Sequence, residues 1–111
     1  MTKSKYNNKI IQRKDGKFDS KKEYAIWIQL KHLEKLGQIK NLKRQVPFIL
    51  IAKSKWGRER KYIADFVFTI CDSGEEVIAD CKSSYTKKDP VFNLKARIFA
   101  EKFGKQITII E

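Results

Sequence analysis

The chain has 111 residues, with 25 Lys and Arg against 13 Asp and Glu and a formal net charge of +12. That length fits one domain with a single modest core, and 41% apolar residues with 12% aromatic ones exclude wholesale disorder. No apolar run approaches the roughly 18 residues of a membrane span, and residues 1–17 lack the apolar segment of a secretory signal. Cys71 and Cys81 are therefore expected to be reduced thiols in a cytoplasmic setting. So large a basic excess points to a polyanionic partner, nucleic acid before an anionic membrane surface.

Residues 1–17 are polar and basic, with turn signals at Asn7-Asn8 and Asp15-Gly16, and are expected to form an N-terminal arm with at most a short strand near Ile10. Residues 18–111 form the domain. Ser20 as N-cap, Glu23 three residues on, and Tyr24, Trp27, Ile28, Leu30, Leu33 and Leu36 at helical spacing predict a helix over 20–36, closed by Gly37. The β-rich run 45–52 predicts a first strand, with Pro47 marking an edge or a bulge. A hairpin loop containing Gly57 leads to a second strand over 60–70, and Asp72-Ser73-Gly74 turns into a third over 76–82. A polar loop, Ser83 to Asp89, ends at Pro90, which suits the first turn of a second amphipathic helix over 90–103. Residues 106–110 predict a last strand. The order αβββαβ implies an α/β fold with one mixed sheet flanked by helices, because the second helix is long enough for a crossover.

The positive charge is uneven. Residues 62–86 reverse the sign to −4, with Lys82 alone against Asp65, Asp72, Glu75, Glu76 and Asp80. A surface built only to hold phosphates has no use for that island. Asp65 lies in Tyr62-Ile63-Ala64-Asp65-Phe66-Val67-Phe68, the most apolar stretch of the chain, where an unpartnered carboxylate is costly. Asp80 and Lys82 share one face of the third strand, opposite Val77, Ala79 and Cys81. Asp65 and Asp80 can lie side by side across the hairpin, and two carboxylates that close need a proton or a cation between them. A hard divalent ion such as Mg²⁺ meets that need with one or two carboxylates plus waters and phosphate. Lys82 would then orient or deprotonate a water, or hold a phosphate oxygen. Glu23, on the first turn of the first helix, points along its apolar stripe and can reach the same ion from the side.

Ala64-Asp65, then Asp80-Cys81-Lys82, with a Glu on the preceding helix, resembles the PD-(D/E)XK nuclease superfamily and its restriction-endonuclease-like core. More narrowly, Phe18-Asp19-Ser20-Lys21-Lys22-Glu23, Gln45-Val46-Pro47-Phe48, Tyr62-Ile63-Ala64-Asp65-Phe66 and Asp80-Cys81-Lys82 are similar to a small phage-encoded family of Holliday-junction-resolvase-like endonucleases. Ala64 stands where the superfamily's name has proline. The resemblance implies Mg²⁺- or Mn²⁺-dependent phosphodiester hydrolysis, with Asp65 and Asp80 as ligands and Lys82 as the catalytic lysine. It also implies the Cys81 carbonyl in the metal shell, Glu23 as an accessory ligand, and action in a bacterial host's cytoplasm.

Each residue has a plainer reading beside the functional one. Glu23 can simply close the capping box with Ser20, and Asp80 with Lys82 can be a solvated pair on an edge strand. Cys71 and Cys81, with only His32 elsewhere, make no zinc set and read as small core fillers. His32 reads as surface, and Tyr24 and Trp27 as core. Trp56, between Lys55 and Arg58, suits stacking on a base or anchoring a loop. Lys14, Lys17, Arg44, Gln45, Lys53, Lys55, Trp56, Arg58, Arg60, Lys87, Lys88 and Lys95 make up the expected DNA-binding set, with Arg97 nearby. The function expected is a metal-dependent DNA endonuclease on branched DNA, acting as a homodimer. The alternatives are a non-catalytic DNA-binding accessory protein with a nuclease fold, or a nicking, mismatch or homing endonuclease.

Overall fold

The computed structural model describes residues 11–13, 16–82 and 89–111. Ile10, Lys14, Lys87, Lys88 and most of the Ser83–Asp89 loop lie outside the described residues. In chain order the elements are β1 (Ile11–Arg13), β2 (Gly16–Phe18), α1 (Lys21–Lys35), β3 (Ile39–Ile51), β4 (Arg60–Ile70), β5 (Glu76–Cys81), α2 (Pro90–Phe103) and β6 (Thr108–Ile110). The main sheet has the order β3-β4-β5-β6; β3–β4 and β4–β5 are antiparallel, and β5–β6 is parallel. The sheet is mixed, and α2 provides the crossover, as expected.

Two apolar clusters place the helices. Leu30 of α1 packs with Ile39, Phe66 and Ala79, and Phe99 of α2 packs with Leu50, Tyr62, Ala64, Val67 and Ile78. Phe66 and Val67 are adjacent on β4, as are Ile78 and Ala79 on β5, so the clusters lie on opposite faces. The sheet is therefore sandwiched between α1 and α2.

The α1 boundaries follow their sequence signals. The Ser20 hydroxyl accepts the Glu23 N–H at 3.1 Å, and Gly37, at φ 80°, follows the C-cap Leu36. On α2, Asp89 accepts the Val91 N–H at 2.9 Å and Gly104 closes the helix at φ 69°.

Two differences from the sequence reading have physical causes. The stretch expected to be an arm contains the β1–β2 hairpin, with Ile11 opposite Phe18, and Phe18 is fully buried. The first long strand starts at Ile39 rather than at residue 45. A register shift between Lys40 and Lys43, with Asn41 at φ 58°, spaces the inward residues Ile39 and Leu42 three apart. That bulge hides the period of two. Pro47 is tolerated in mid-strand because β3 is the sheet edge.

Candidate active site

The site forms where β4 and β5 part. Their pairing runs from Thr69–Glu76 to Phe66–Ala79. Tyr62 and Ala64 pack on the α2 side but Phe66 on the α1 side, so the alternation of β4 breaks around Asp65. Opposite Asp65 on β3, Gln45 has a left-handed backbone, φ 52°. The Asp65 carboxylate is turned toward the neighbouring strand: Oδ2 accepts the Cys81 N–H at 2.8 Å, and Oδ1 accepts Gln45 Nε2 at 3.4 Å. Burial first, then the charge of Asp80, push the Asp65 carboxyl up to about 7, although the Cys81 N–H opposes the shift.

Asp80 is 3% exposed. Its Oδ1 accepts the Tyr62 hydroxyl at 3.0 Å, and Lys82 Nζ lies 2.8 Å from its Oδ2. The lysine contact is an ion pair without hydrogen-bond alignment, so Oδ2 is buried with unfilled acceptor capacity. Burial and then Asp80 push the Tyr62 hydroxyl far above its usual range, which keeps it a proton donor to that carboxylate. Lys82 Nζ also sits 4.3 Å from the centre of the Phe92 ring on α2. Its backbone is tied down on both sides: its N–H donates to the Ile110 carbonyl at 3.0 Å, and its carbonyl accepts Lys22 Nζ at 3.1 Å.

Glu23 is 4% exposed and accepts Gln45 Nε2 at 3.2 Å, so Gln45 links it to Asp65. Burial and then Asp19 raise its carboxyl, and Arg44 opposes them. The Arg44 guanidinium lies 3.7 Å above the centre of the Phe18 ring, donates to the Lys17 carbonyl and stands 3.7 Å from Glu23 Oε1. Gly16 admits this arrangement, since a side chain there would begin 3.2 Å from the guanidinium.

A groove of about 380 Å³ opens over Asp65 and Asp80, lined also by Gln45, Lys61, Lys82 and Lys95. Asp65, Asp80 and Lys82 thus converge on one surface, and Glu23 reaches it through Gln45. Arg44, read from the sequence as a phosphate contact, is instead half-buried against Phe18 and Glu23. Lys17, Lys53, Lys55, Trp56, Arg58 and Arg60 are exposed, and Lys95 is half-buried at the groove. His32 is exposed, and Trp27 stacks on Phe66 at 6.0 Å as a core residue. Cys71 is exposed in the turn after β4 rather than filling the core. Cys81 packs partly buried beside the α1-side cluster, and burial, then the charge of Asp65, pushes its thiol up to about 12.

Sequence reasoning missed Tyr62 and Phe92 as partners of Asp80 and Lys82. Regular alternation puts Tyr62 and Asp65 on opposite faces, so only the break in β4 brings them to one site.

Among the described residues, no three His, Cys, Asp or Glu side chains sit close enough to hold one ion together. The donor set nevertheless fits Mg²⁺, which needs only one or two protein carboxylates. It consists of two neighbouring carboxylates, one with a proton affinity raised by burial and then by the other, and a buried oxygen, Asp80 Oδ2, whose close partner is the Lys82 ammonium. No helix among the described residues is long and apolar enough to cross a membrane.

Neither a search of curated proteins nor one of solved structures finds a match. A family model does, over residues 3–110, and the chain belongs to that family, which is described as a protein of unknown function (DUF1064).

Proposed function

We propose that the groove over Asp65, Asp80 and Lys82 is the active site of a metal-dependent DNA endonuclease. The observation that carries this reading is the pairing of two buried-side carboxylates with a lysine 2.8 Å from one of them, inside a chain of net charge +12. Asp65 and Asp80 would hold Mg²⁺ or Mn²⁺, with the Cys81 carbonyl as a further donor, while Glu23 acts on them through Gln45. The ion, when bound, supplies Lewis-acid polarisation of a phosphodiester and a water of lowered pKa.

The chain's own residues account for the rest. Tyr62 fixes the Asp80 carboxylate through Oδ1, which leaves Oδ2 facing Lys82. Lys82, held at both backbone ends, presents an ammonium to the groove where it neutralises charge on a phosphate oxygen and orients the attacking water. Its contact with Asp80 must loosen as substrate and cation enter. Gln45 steadies Asp65 against Glu23. Lys61 and Lys95 flank the groove as phosphate contacts. Branched DNA is the proposed substrate, and two copies of the chain would cut its two strands symmetrically.

The test is incubation of a labelled four-way junction and a matched linear duplex with the protein, with Mg²⁺ and with EDTA. Mg²⁺-dependent scission, stronger on the junction, supports the reading. Tight binding without scission in Mg²⁺ or Mn²⁺ would replace it with an accessory DNA-binding role on the same fold.

A further inference from the structure

The β3–β4 hairpin extends well past the carboxylates. Its pairing runs on from Val46–Ala64 to Ile51–Arg60, and the chain then closes in a tight turn. Ser54 and Gly57 exchange backbone hydrogen bonds at 2.9 and 3.2 Å, and the Ser54 hydroxyl accepts the Trp56 N–H at 3.2 Å. Trp56 stands at the apex of that turn, 86% exposed. An indole is costly to leave in water, and here the backbone holds it out. Lys55 Nζ lies 4.9 Å from the ring centre, and Lys53, Arg58, Arg60 and Lys61 are all exposed around it. At about 3.4 Å per residue, the strand from Asp65 to Arg60 spans roughly 17 Å. Trp56 therefore stands beyond the end of that strand from Asp65, and Lys61, which lines the groove, lies between the two.

β4 begins among those cations, so a polyanion is drawn toward the tip of the hairpin.

We infer that Trp56 is a base-reading element: it stacks on an unpaired or unstacked DNA base while the surrounding cations hold the flanking phosphates. This deepens the proposed function, and rests on it for the identity of the polymer, by assigning the preference for branched DNA to the hairpin tip. A flat indole stacks on any base, so the selection is for exposed bases rather than for sequence. An intact duplex offers the tip only its backbone.

The test is binding measured by anisotropy in EDTA, which makes it independent of cleavage. Wild type, Trp56→Ala, Trp56→Phe and the double variant Lys55→Gln/Arg58→Gln are titrated with a four-way junction, a single strand and a matched duplex over a salt series. Trp56→Ala is expected to weaken junction and single-strand binding by about tenfold or more, with duplex binding and the salt slope unchanged. Trp56→Phe keeps part of the affinity. The charge variant weakens binding to all three and lowers the slope by about two. Trp56 fluorescence, followed against Trp56→Phe in which only Trp27 emits, is expected to be quenched by the junction and not by the duplex. Trp56→Ala acting equally on duplex and junction, or on neither, overturns the inference. A wild-type protein that binds the junction through Trp56 but never cleaves it upholds the inference and removes the nuclease reading.

Discussion

Asp65 Oδ2 accepts the backbone N–H of Cys81 at 2.8 Å, in the place where a carbonyl of β4 would have continued the ladder. A side chain has replaced a main-chain partner, and the two strands part around it. That substitution gives an open site at the centre of a sheet without leaving the Cys81 N–H unpaired. It also carries a carboxylate into a half-buried position beside a second one.

Because its folded-state carboxyl is raised from 3.8 to about 7, Asp65 binds its proton more tightly in the folded chain than in the unfolded one. Stability from this group is complete below about pH 4 and is lost as pH rises through 7. Glu23, raised by burial, adds the same sign. Urea unfolding without metal is expected to show stability falling between pH 5 and 8. Asp65→Asn, which keeps an acceptor for Cys81, flattens that slope by more than about 1.4 kcal/mol, the value of one pKa unit.

Metal should reverse the trend. On the proposed reading an ion would take the place of the proton held by Asp65 and Asp80, so Mg²⁺ or Mn²⁺ is expected to raise Tm more at pH 8 than at pH 5.5. In Asp65→Asn that increment shrinks at both pH values. A thermal melt series with and without metal measures both effects.

Tyr62 has its ring in the core and its hydroxyl 3.0 Å from Asp80 Oδ1. Tyr62→Phe keeps the packing and removes one donor from a buried carboxylate, at an expected cost of about 1–3 kcal/mol in unfolding free energy. Under the proposed function, cleavage is expected to slow at kcat with little change in KM, because Tyr62 is buried and acts through Asp80.

Arg44 lies between the Phe18 ring and the Glu23 carboxylate. Arg44→Ala leaves that carboxylate buried without its cation and is expected to cost about 3 kcal/mol. Adding Glu23→Gln removes the stranded charge and restores part of the loss. Arg44→Lys does not rescue, since an ammonium cannot lie flat on Phe18 as a guanidinium does. Double-mutant denaturation curves measure the coupling.

The helices, β4, β5 and the trio Asp65, Asp80 and Lys82 were legible in the sequence. Their signals are local: a cap box, a run of β-branched and aromatic residues, an alternation over three positions. What was hidden depends on breaks in regularity. Asn41 inserts a bulge, so Ile39 and Leu42 do not alternate as strand residues should. The switch of face around Asp65 brings Tyr62 to Asp80 against simple parity. Arg44 reads as a surface cation because nothing local indicates that Phe18, 26 positions earlier, folds back beneath it.

The central claim is that Lys82 and the two carboxylates beside it cut DNA. The most direct measurement is the single-turnover rate on a four-way junction in Mg²⁺ for wild type and Lys82→Ala, with circular dichroism to establish that both are folded. The account predicts wild-type scission and a loss of at least about 100-fold in the variant, as expected when a group that stabilises the transition-state charge is removed. Undiminished scission by folded Lys82→Ala would contradict it.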